Sequence, residues 1–104
     1  MSENLQRFLA EWLEWVEKGA PDEEPFCRRR GLCSGLEDWN LERDFDVEEG
    51  EEELRCLFKA DGLDGVYPFG GAEVFYEAVD HDEQHLNEAR VAWVRSKVAQ
   101  FEAA

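Results

Sequence analysis

The chain opens on a helical pattern of apolar positions. Leu5, Phe8, Leu9, Trp12, Leu13, Trp15 and Val16 recur at helical spacing, and at about 100° per residue they fill one stripe roughly 160° wide. Glu3, Gln6, Arg7, Ala10, Glu11, Glu14, Glu17 and Lys18 cover the opposite arc. Ser2 has the short polar side chain of an N-cap, and Gly19 suits the left-handed position that ends a helix. The pattern predicts a helix over residues 3–18. Trp15 sits at the edge of the stripe, where it either packs or faces a partner.

Pro21 and Pro25 make residues 20–25 a connector, with Pro25 suited to a first helical turn. Leu32, Cys33, Leu36 and Trp39 then form a stripe that predicts a helix over residues 26–39. Gly31 and Gly35 oppose it by up to roughly 1 kcal/mol each relative to alanine. Residues 41–53 hold eight acids and a single base, Arg43, and are expected to be a solvated acidic loop running into a helix start. Leu54, Leu57 and Phe58 place that helix at residues 51–60, with Gly62 to end it.

Residues 61–71 are turn-rich, with Val66, Tyr67 and Phe69 expected to tuck beneath the loop. Ala72, Phe75, Tyr76 and Val79 favour a short helix, although their aromatic and β-branched content also suits a strand. Asn87 is a good N-cap. Val91, Val94, Val98 and Phe101 predict a last helix over residues 87–102, and Leu86 is placed to staple onto Val91. Trp93 lies off that stripe, so either a second packing surface covers it or it is exposed. Together these elements predict one all-α domain spanning residues 1–104, with four or five helices around a single core.

Charge narrows the function. Eleven Lys and Arg stand against 26 Asp and Glu, a formal net charge of −15. The 43% of hydrophobic positions, with 4 Trp and 7 Phe, argue against disorder. No apolar run approaches the roughly 18 residues of a membrane span. The start, Met1-Ser2-Glu3-Asn4, lacks the basic and apolar regions of a signal peptide. Cys27, Cys33 and Cys56 are an odd set and read as reduced thiols in a cytoplasmic protein. Neutralisation of duplex phosphates is not expected at this charge.

Candidate chemistry is thin. His81 and His85 have the spacing of a helical ligand pair, but they stand in a polar stretch before a cap. Cys27 and Cys33 would be separated by roughly 120° around one helix, too far to chelate together. No zinc site is therefore expected. Asp80, Asp82 and Glu83 lack the spaced oxygens and glycine of a calcium loop. No phosphate-binding loop with its lysine is present, and no carboxylate pair is singled out among so many. The reading is a protein without catalytic residues, metal or cofactor.

What remains is the charge itself. Asp22, Glu23 and Glu24, the run Glu42, Asp44, Asp46, Glu48, Glu49, Glu51 and Glu52, and Asp80, Asp82 and Glu83 are the candidate partner-binding acids. Such residues can offer carboxylates to a basic groove that normally holds nucleic acid, giving fast, salt-sensitive association. Arg28, Arg29 and Arg30 are the one basic cluster; pairing with the chain's own acids is favoured over a partner contact.

CRRRGLC at residues 27–33, LRCLFKADGL at 54–63, YPFGG at 67–71 and NEARVAWV at 87–94 resemble a group of uncharacterised small acidic accessory proteins of tailed bacteriophages. The likeness spans roughly residues 26–98 and leaves the first helix and the acidic run outside. It carries no activity over, and no catalytic residue. It implies an accessory protein that acts by stoichiometric binding inside a bacterial host, including anti-defence and anti-CRISPR inhibitors. The expected partner is then a host protein or nucleoprotein complex with a basic surface, with no direct nucleic-acid contact and no membrane. The alternative is a small adaptor that docks by an apolar patch, with Trp15 and Trp93 as anchors and the charge serving solubility.

Overall fold

Ser2 begins the first helix as its side chain predicts. In the computed structural model, which describes residues 1–21, 26, 31–66, 69 and 88–103, helix α1 spans Glu3–Glu17. Ser2 Oγ accepts the Leu5 N–H at 3.2 Å. The helix closes with Gly19 at φ +103°, where the Gly19 and Ala20 N–H groups return to the carbonyls of Val16 and Trp15 at 3.1 and 2.9 Å. Leu5, Phe8, Leu9, Trp12, Leu13 and Trp15 are all buried.

Helix α2 spans Leu32–Glu42, a later start and a later end than the stripe predicted. Gly31 is its N-cap with an extended backbone. Phe26 is not helical and packs against Phe8 and Trp15. The far end is set by Asp44 at φ +57°. The Asp44 and Phe45 N–H groups reach the carbonyls of Leu41 and Asn40 at 3.3 and 2.9 Å. Asn40, Leu41 and Glu42 thus complete the last turn rather than leaving it.

Helix α3 spans Val47–Ala60, so much of the expected acidic loop is helical. Asp46 accepts the Glu49 N–H at 2.9 Å, which satisfies one of the first-turn donors. Glu48 and Glu49 then occupy the positive end of the helix dipole. Gly62, at φ +71°, ends the helix with the same pair of returning hydrogen bonds, Gly62 to Lys59 and Leu63 to Phe58. Helix α4 spans Glu88–Ala103, close to the predicted range.

Asn87, the 72–79 segment and Tyr67 lie outside the described residues. Phe69 is buried as expected, but Val66 is exposed. The four helices of the described residues form a small all-α domain in which α1 packs on α4 and α3, and α2 on α3. One aromatic group links Phe8, Phe26, Trp39 and Phe45. A second joins Phe58, Phe69 and Trp93 with centroids 5.0–5.9 Å apart.

Candidate partner-binding face

The candidate acids that lie within the described residues stand where α2 turns into α3. Glu42, Asp44, Asp46, Glu48, Glu49 and Glu52 are exposed, and Glu51 and Glu53 are half-buried. Several have structural work. Asp46 caps α3. Glu42 lies 3.7 Å from Arg43, and Glu51 lies 4.0 Å from Arg55 one turn later. Glu53 takes the Ser2 backbone N–H at 2.7 Å and the Ser2 hydroxyl on its other oxygen. A carboxylate of α3 therefore sits at the positive end of α1. Among the described residues no cation pairs with Asp44, Glu48, Glu49 or Glu52. These are the carboxylates left to face outward.

Arg43, the base within the run, is held inward. Its guanidinium carbon lies 4.0 Å from the centroid of the buried Trp39 ring. It donates to the Trp39 carbonyl at 3.0 Å and approaches Glu11 at 3.7 Å. Stacked and bonded in this way, it anchors the end of α2 to α1.

Trp15 and Trp93 do not form an apolar docking patch. Trp15 is 2% exposed; it stacks on Phe26 at 5.6 Å and donates its indole N–H to the Pro21 carbonyl at 2.7 Å. Trp93 is 8% exposed, because Phe58 and Phe69 supply the second packing surface that its off-stripe position requires. Both anchors of the adaptor reading are core residues. Asp22, Glu23, Glu24, Asp80, Asp82, Glu83, His81, His85, Cys27 and Arg28, Arg29 and Arg30 lie outside the described residues.

A cavity of about 180 Å³ opens between the start of α1, the end of α2 and the first turns of α3. Ser2, Asn4, Leu5, Leu36, Asn40, Phe45, Asp46, Glu49, Gly50 and Glu53 line it. Asn40 is 3% exposed and fills the space that the missing side chain of Gly50 leaves. Sequence patterning does not single out Asn40, Phe45, Gly50 or Glu53, since each belongs to the site only through helix packing. The one local signal is Asp46 followed three residues later by Glu49, a capping pattern that marks the start of α3.

Two thiols are described. Burial, and then the negative field of Glu51, pushes Cys33 up to about 11, so it stays protonated and inert at neutral pH. Cys56 is exposed. Among the described residues no group of three or more His, Cys, Asp or Glu is placed to hold a metal ion, and no helix is long and apolar enough to cross a membrane. Comparison with known protein families, curated proteins and solved structures finds no match to the chain.

Proposed function

We propose that this protein is a non-enzymatic, phage-encoded inhibitor that binds a basic surface of a host nucleic-acid-handling or defence complex, such as a CRISPR effector, inside the bacterial cytoplasm. The observation that carries this reading is the set of exposed carboxylates Asp44, Glu48, Glu49 and Glu52 on the α2–α3 corner, which pair with no cation among the described residues. Capped helices hold them in place, so little ordering is required when a partner docks. A net charge of −15 on 104 residues exceeds the magnitude of roughly 2–8 that solubility asks of a small domain. The surplus repels itself within the fold. A basic groove built for phosphates offsets that repulsion, and the protein acts there as a nucleic-acid mimic.

Long-range attraction of this kind is screened by salt. The test is capture of host proteins on the immobilised chain at low and high salt, set beside a Glu48→Lys/Glu49→Lys/Glu52→Lys variant. The expected partner is held at low salt, released at high salt, displaced by added duplex DNA and lost by the variant. Retention that ignores both salt and charge reversal overturns the reading.

A further inference from the structure

We draw no further inference here: the strongest candidate, the cavity between the start of α1, the end of α2 and the first turns of α3, carries nothing because its charged lining is the acidic cluster at the N-terminal end of α3 and no second observation there points to a ligand.

Discussion

Asp61, at the end of α3, accepts the indole N–H of Trp93 from α4 at 2.7 Å. The Lys97 ammonium completes the arrangement, 2.9 Å from the same oxygen and 5.5 Å from the centre of the Trp93 ring. The hydrogen bond from Lys97, followed by that from Trp93, holds the Asp61 carboxyl below its ordinary range. One acid thereby joins two helices and satisfies the polar edge of a buried aromatic ring.

The lowered value sets a sign. Asp61 contributes stability above the ordinary aspartate value of about 3.9 and loses it as pH falls through the lowered one. Asp61→Asn is expected to unfold at lower urea concentration than wild type at about pH 6, with the gap closing below about pH 4 as the native acid protonates. Relief of net repulsion at low pH acts on both proteins, so it cancels in the difference. A gap that stays constant from neutral to acid pH contradicts the assignment.

Gly50 has ordinary helical geometry, yet alanine is expected to be worse there. Helix propensity alone favours Gly50→Ala by about 1 kcal/mol. The new methyl meets the buried Asn40 amide, and overpacking of this kind costs about 1–3 kcal/mol. The net expectation is a loss of roughly 1 kcal/mol in chemical denaturation. Truncating Asn40 as well removes the clash, so the double variant Asn40→Ala/Gly50→Ala departs from additivity in the stabilising direction. Strict additivity shows that the two residues do not meet.

The all-α class and the ranges of α1 and α4 were legible because periodic apolar positions record which side of a helix is buried. Ser2 and Gly19 carried the limits of α1 for the same local reason. Both misplaced helices failed at their ends. Apolar periodicity is silent across Asp46, Val47, Glu48 and Glu49, where a side-chain cap and the helix dipole decide the conformation. The sequence also left Trp15 and Trp93 open between packing and exposure. Only tertiary partners, Phe26 for one and Phe58 with Phe69 for the other, resolved them. The Ser2–Glu53 contact spans 51 residues, and no local pattern encodes it.

Asp44 is the non-glycine member of three matching helix ends. Gly19 and Gly62 hold the left-handed position after α1 and α3, and Asp44 holds it after α2 at φ +57°. Asp44→Gly removes the strain of a Cβ there and takes a negative charge from the negative end of the helix. The variant is expected to gain about 0.5–1 kcal/mol, read as a higher Tm. Gly62→Ala is expected to lose about 1 kcal/mol by the converse argument. A lower Tm for Asp44→Gly would show that the aspartate makes a stabilising contact that outweighs its backbone strain.

Cys33 and Cys56 test burial through chemistry. Alkylation requires the thiolate, and Cys33 is pushed up to about 11, chiefly by burial. The exposed Cys56 is expected to react with iodoacetamide at pH 8 at least about tenfold faster, measured by peptide mapping of the native protein. Unfolding in urea is expected to abolish most of the difference. The same shift has a stability consequence at alkaline pH. Cys33 keeps its proton in the folded chain after the unfolded chain has lost it, so the folded state loses ground between about pH 9 and 11. The loss is on the order of 2 kcal/mol, and Cys33→Ala is expected to be flatter over that window. Equal labelling rates at the two cysteines in the native state would place Cys33 in contact with solvent and remove both expectations.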